Sequence, residues 1–168
     1  TAASPSENDD AKKNWGSMAN FTIIQVNPEE IDKYKDIIVG LWKANLSNGS
    51  YERFDWLYKK NPAGPAVTWL AKDEKTGEFV GCNSLYPREV KINGRTLTMG
   101  IAIDFAVNKN YRVFGPALQI EKTIIADSKA AGFDFLFAWP SPSSTAVFTR
   151  AGYSVLGETD SFVKLVRT

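Results

Sequence analysis

Val107-Asn108-Lys109-Asn110-Tyr111-Arg112-Val113-Phe114-Gly115-Pro116-Ala117-Leu118 is the stretch on which the reading of this chain turns. Before it, Arg95 to Val107 is rich in β-branched, aromatic and small residues and reads as a strand. After it, Pro116 opens a helical pattern to Ala131, with Ala117, Ile120 and Ile124 on one stripe and Gly132 as the C′ residue. A helix start leaves backbone N–H groups unpaired, and small residues beside it let an anion come close. Arg112, Gly115 and Ala117 are therefore candidate anion-holding positions, whereas Pro116 sets the first turn without adding a donor. The same glycine would also serve a plain tight connection.

Working outward, Ala66 to Lys72, Glu78 to Val90 and Arg95 to Val107 read as an antiparallel meander, with Asn93-Gly94 as a type I′ hairpin turn. Strict alternation in the third run puts Met99, Ile101, Ile103, Phe105 and Val107 on one face and Gly100, Ala102, Asp104 and Ala106 on the other. Upstream, Phe21 to Val26 is a strand, and Asn27-Pro28-Glu29-Glu30 caps a helix that carries Ile31, Tyr34, Ile38, Leu41 and Trp42 to about Asn45. Phe54, Leu57 and Tyr58 mark a short second helix, which Asn61-Pro62-Ala63-Gly64-Pro65 stops, and Trp42 and Trp56 on helical stripes and Trp69 within a strand read as structural aromatics. Downstream come a strand from Phe133 to Ala138, a loop from Trp139 to Ser143, a helix from Ser144 to Ala151 closed by Gly152, and strands at Tyr153 to Leu156 and Phe162 to Val166. This alternation of strands and helices predicts the α/β class.

Composition narrows the chemistry. The 168 residues suit one domain, and 43% hydrophobic residues suffice for a core. Residues 1 to 17 are polar and aperiodic and read as a disordered tail. Gly16-Ser17-Met18 looks like a cloning junction followed by a start methionine, so part of that tail is expected to be vector-derived, with a native extension as the alternative. With 20 Lys+Arg against 19 Asp+Glu there is no basic field, so nucleic acid is not an expected partner. No histidine is present, which excludes Ser-His and Cys-His nucleophilic machinery and the common zinc sites; no metal is expected. The one cysteine, Cys82, reads as a small buried hydrophobe. No membrane span or leader pattern is visible, and the chain reads as soluble and cytoplasmic.

Arg112-x-x-Gly115-x-Ala117, after a strand ending in Val107, resembles the pyrophosphate loop of the GNAT superfamily of CoA-dependent N-acyltransferases. The preceding meander and the later helix ending in Gly152-Tyr153 are also similar to that family. Trp56-x-Tyr58-x-x-Asn61-Pro62-x-Gly64, Gly115-Pro116-Ala117 and Arg150-Ala151-Gly152-Tyr153 resemble a subgroup found with cell-surface polysaccharide genes. The likeness covers roughly residues 21 to 167. Subgroup members continue into a second half, so the chain is expected to be the first half of a longer protein.

The resemblance implies a mixed, mostly antiparallel sheet flanked by helices on both faces, acetyl-CoA as cosubstrate and the amine of a small molecule or amino sugar as acceptor. It also implies that Phe105 and Val107 run beside the cosubstrate, and that Arg112, Val113, Phe114, Gly115, Ala117 and Leu118 hold its diphosphate. Asp104, on the same strand, is the candidate base for the attacking amine. Trp139, just past a strand end, and Tyr86, Arg88 and Glu89, on a meander strand, are acceptor-site candidates. Two positions depart from the family pattern: Phe148 stands where many members carry an acid tyrosine, and Ser141 where they carry asparagine. Two other readings stay open, a silent CoA-binding or interaction domain and an aminoacyl transferase of the peptidoglycan-bridge type. Near-neutral charge and the diphosphate loop argue against the latter. A homodimer is an open expectation.

Overall fold

The structure is a computed structural model that describes residues 20–47, 49–112, 115–159 and 164. Five strands form one sheet in the order of the sequence: β1 (Phe21–Val26), β2 (Val67–Asp73), β3 (Phe79–Ile92), β4 (Arg95–Val107) and β5 (Phe135–Ala138). The first three pairings are antiparallel, and only β4 and β5 run parallel. The β3–β4 hairpin turns at Asn93 and Gly94, whose φ angles of 49° and 77° fit the predicted turn type.

Helices cover both faces. On one lie a 3₁₀ segment (Pro28–Tyr34), α1 (Lys35–Asn45), α2 (Tyr51–Phe54) and a π-turn (Asp55–Lys59). Their apolar stripe of Ile31, Ile38, Leu41, Trp42, Phe54 and Tyr58 packs on Leu70, Cys82 and Ala106 of the sheet. On the other lie α3 (Pro116–Asp127) and α4 (Pro142–Ala151), where Ile120, Ile124 and Phe148 pack on Trp69, Leu85 and Val107. The second helix expected from Phe54, Leu57 and Tyr58 is thus one α turn followed by a π-turn. Ser50 caps it by accepting the Arg53 N–H at 3.1 Å.

Three expectations need correction. Alternation along β4 breaks at a one-residue bulge: Cys82 pairs Ala106 while Ser84 pairs Ile103, so Asp104 and Phe105 together oppose Asn83. Phe105 and Val107 therefore pack on the α3 face, and Asp104 and Ala106 lie on the α1 face with Ile101 and Ile103. Second, Tyr153–Leu156 forms no strand; Val155 and Leu156 are 74% and 86% exposed, and the expected partner at 162–166 lies outside the described residues. Third, Trp56 is 67% exposed rather than part of a helical packing stripe. Trp42 and Trp69 are fully buried, as their patterns predict.

Candidate functional site

The parallel pairing of β4 with β5 extends only from Met99 to Ala102, opposite Phe135 to Ala138, so among the described residues β4 runs on from Ile103 to Val107 without a strand on that edge. Asn108 donates its N–H to Val80 O at 2.8 Å. Because backbone groups alternate along a strand, the Ala106 amide also faces β3, and those of Phe105 and Val107 face the uncovered edge. Val107 O is met there by Arg112 Nε at 3.1 Å. On the α3 face of this strand the rings of Phe105, Phe148 and Tyr153 meet edge to face at 5.5 and 5.0 Å.

Gly115 stands at the N-cap of α3 with φ 90°, a left-handed conformation that a β-carbon strains, and no described residue outside its chain neighbours comes within 4 Å of the space into which a side chain would project. Ala117 and Leu118 occupy the first turn behind it, where helical geometry gives backbone N–H groups no partner within the helix. The predicted loop residues Val113 and Phe114 lie outside the described residues. Arg112 also reaches Asn45 Oδ1 at 3.5 Å, and Asn45 is tied to Asn108 at 2.8 Å, which anchors the loop on α1.

The bulge places Asp104 at φ 57°, a region Asp tolerates better than most residues. Its side chain is 5% exposed and receives two donors from Arg53, Nη2 to Oδ1 at 2.7 Å and Nη1 to Oδ2 at 3.3 Å. Tyr58 adds a third, its hydroxyl lying 3.3 Å from Oδ2 and 2.6 Å from Ser84 Oγ, which in turn meets Thr68 Oγ1 at 2.9 Å. Burial pushes the Asp104 carboxyl above its usual range, while the Arg53 guanidinium and the Tyr58 hydroxyl pull it back. An ionised carboxylate offers about four lone-pair sites, so one remains for a further partner. Sequence reading found Asp104 but not Arg53, which lies 51 residues away on another element and carries no local signature.

Beside this pair opens a groove of about 660 Å³, lined by Glu52, Arg53, Trp56, Leu57, Tyr86, Arg88, Ile101 and Ile103. Its size suits a small organic ligand. Of the predicted acceptor residues, Tyr86 and Arg88 line it. Glu89 is exposed and, one residue on, points to the opposite face of β3. Trp139 stands outside the lining, 63% exposed, with its ring on Phe137 at 4.4 Å. Since Phe137 is paired with Ile101, Trp139 continues the same face toward the end of β5.

Behind the bulge, Asn83 donates to Glu121 Oε1 and accepts the Ser84 N–H at 2.8 Å. Glu121 is fully buried on α3, and burial pushes its carboxyl up to about 8, partly opposed by Asn83. Its position, within the stripe Ala117, Ile120, Glu121, Ile124, is a sequence signal of an acid turned inward. A raised folded value favours the protonated native state. The stability Glu121 contributes is therefore complete below the ordinary carboxylate range and is lost as pH rises through about 8. Glu121→Gln, which keeps the shape without the titration, should melt within error of wild type at pH 5 and several degrees higher at pH 8.5. Equal melting temperatures at both pH values would show that this carboxyl is not neutral in the native state.

No helix among the described residues is long and apolar enough to cross a membrane, and no cluster of three or more His, Cys, Asp or Glu gathers among them to hold a metal. The family model described as acetyltransferase (GNAT) domain matches residues 22–156. A search of curated protein sequences found no match. Among solved structures, glucosamine-6-phosphate N-acetyltransferase from Arabidopsis thaliana is similar with a TM-score of 0.64 at 17% identity, over 86% of this chain and 98% of that one. AAC(6')-Iy, solved with a CoA-linked acetylneamine bisubstrate analogue, gives 0.67 at 15% identity, over 88% and 100%. An aminoglycoside acetyltransferase from an uncultured soil metagenomic sample gives 0.63 at 15%, over 88% and 97%.

Proposed function

Because the chain belongs to the GNAT acetyltransferase family, we propose that it transfers the acetyl group of acetyl-CoA to the amine of a small molecule seated in the groove beside Asp104. The observation that carries this reading is the conjunction, on one strand, of a backbone edge at Phe105 and Val107 that no strand among the described residues covers with a bulge that turns Asp104 to the α1 face, against Arg53, which lines that groove. Amide-bearing pantetheine is suited to pair with such an edge, and the strained, open N-cap at Gly115 with Arg112 before it fits a diphosphate. Solved neighbours whose names describe acetylation of an amino sugar phosphate and of aminoglycosides support an amine acceptor.

In the reaction the amine nitrogen forms a bond to the thioester carbonyl carbon, the carbon–sulfur bond breaks, and the nitrogen gives up a proton. Backbone N–H at the uncovered edge stabilises the oxyanion that forms between these two events. Asp104 takes the amine's proton at its remaining lone pair, directly or through one water, while Arg53 and Tyr58 keep the carboxylate oriented. The thiolate leaves with CoA and takes its proton from solvent, since Phe148 has none to give.

One observation favours a second reading, a silent CoA-binding domain: Phe148 is buried among aromatic rings and has no proton to give. Calorimetry with acetyl-CoA and CoA tests the part common to both readings. Saturable binding of one molecule per chain is expected for each ligand, and no binding at millimolar concentration would overturn both.

A further inference from the structure

The groove has polar features that acetyl transfer does not use. Tyr86, 5% exposed, lines it, yet its hydroxyl is buried and meets no hydrogen-bond partner among the described residues. Such a group is costly unless a ligand meets it. Burial and then the Asp104 carboxylate push the phenol up, only partly opposed by the guanidinium groups of Arg53 and Arg88, so it stays a donor at neutral pH. Arg88 also lines the groove and forms no ion pair with a carboxylate among the described residues. One of its nitrogens is fixed by Asn61 Oδ1, and Asn61 is itself held to Pro87 O at 3.1 Å, leaving the other guanidinium donors available. Arg53, the second cation of the groove, is engaged with Asp104. Trp56 exposes its indole on the same wall, next to Leu57.

We infer that the acceptor is an amine that carries an anionic oxyacid group, carboxylate or phosphate, beside a flat ring or apolar body. This rests on the acceptor reading of the groove. Arg88 presents a planar fork to the oxyacid and Tyr86 donates its hydroxyl to it, a pairing that suits either anion better than an uncharged acceptor. Trp56 and Leu57 cover the body, which lies over Ile101 and Ile103. Glu52, a groove carboxylate outside any ion pair among the described residues, faces the ammonium. A polycationic amine would instead meet two guanidinium groups. The assignment gives the segment Trp56-x-Tyr58-x-x-Asn61 one purpose: Trp56 covers the acceptor, Tyr58 orients Asp104, and Asn61 fixes Arg88.

Tyramine, tyrosine and O-phosphotyramine share one body and differ in the anion, so they separate its sources. Calorimetric titration of the full chain with each, in the presence and absence of saturating CoA, is expected to show at least one anionic member binding tenfold or more tighter than tyramine. Arg88→Gln, at an exposed position, should keep the melting temperature and CoA affinity and reduce that preference to less than threefold. Trp56→Leu should weaken all three together. Equal affinity for the three, no binding of any, or a preference that survives Arg88→Gln would overturn the inference. Absence of CoA binding in the same samples would instead sink the acetyltransferase reading, while the preference measured without CoA still decides this one.

Discussion

Asp104→Asn should lower acetyl transfer by about 10² to 10⁴, the usual effect of removing a general base, with CoA affinity nearly unchanged. The substitution is conservative where it matters structurally: Asn tolerates the left-handed backbone at φ 57° as Asp does, so the bulge is kept. It removes the charge that holds Arg53 at 2.7 Å, and breaking a pair whose acid is 5% exposed will cost stability. Thermal melting therefore accompanies the kinetics, and the rate is compared well below the variant's transition. The pH profile distinguishes chemistry from damage. Burial raises the Asp104 carboxyl, so the wild-type rate should fall on acidification at a pH above the ordinary carboxylate range, as the base becomes protonated. The variant should lack that limb. A wild-type rate in a folded Asp104→Asn protein would reject Asp104 as the base.

Gly115→Asp should weaken CoA binding by at least about 10²-fold, because two lost charge-assisted hydrogen bonds of roughly 1.5–3 kcal/mol each already exceed that factor. The position has room for a side chain, and Asp is a favoured N-cap residue that suits the positive end of a helix. Loss of affinity would then report the like charge facing the diphosphate rather than a broken α3. The φ of 90° still imposes strain on any β-carbon, and Gly115→Ala isolates that part: it carries the strain without the charge and should lose much less affinity. Unchanged affinity in a folded Gly115→Asp protein would move the diphosphate away from this loop.

The fold was largely legible because its signals are local. Asn93-Gly94 marks the hairpin, Pro28 and Pro116 the helix starts, and Gly152 the end of α4, all residue types that few other conformations accept, whereas α3 ends at Asp127, short of the expected Ala131, and passes through a turn before Gly132. The bulge was not legible. An extra residue in β4 leaves the composition of the strand unchanged while exchanging the faces of every residue after it, so Phe105 and Val107 were assigned the wrong side. Only Asp104, polar and tolerant of positive φ, hinted at the break. The candidate site was half legible for the same reason. Gly115, Arg112 and Tyr86 sit in patterns that can be read along the chain, whereas the Arg53–Asp104 and Asn83–Glu121 pairs join residues far apart in sequence. Trp56 was misread because a single exposed aromatic at helical spacing looks identical to a buried one.

The most direct test of acetyl transfer is a product measurement. The protein is incubated with acetyl-CoA and a panel of small amines, with and without an anionic group, and both free thiol and the mass of each amine are followed. The structure predicts thiol release that depends on the amine, with an equal amount of one amine gaining an acetyl group. CoA binding without any acetylated amine, across the panel and at enzyme concentrations comparable to the amine, would contradict it and leave a silent CoA-binding domain.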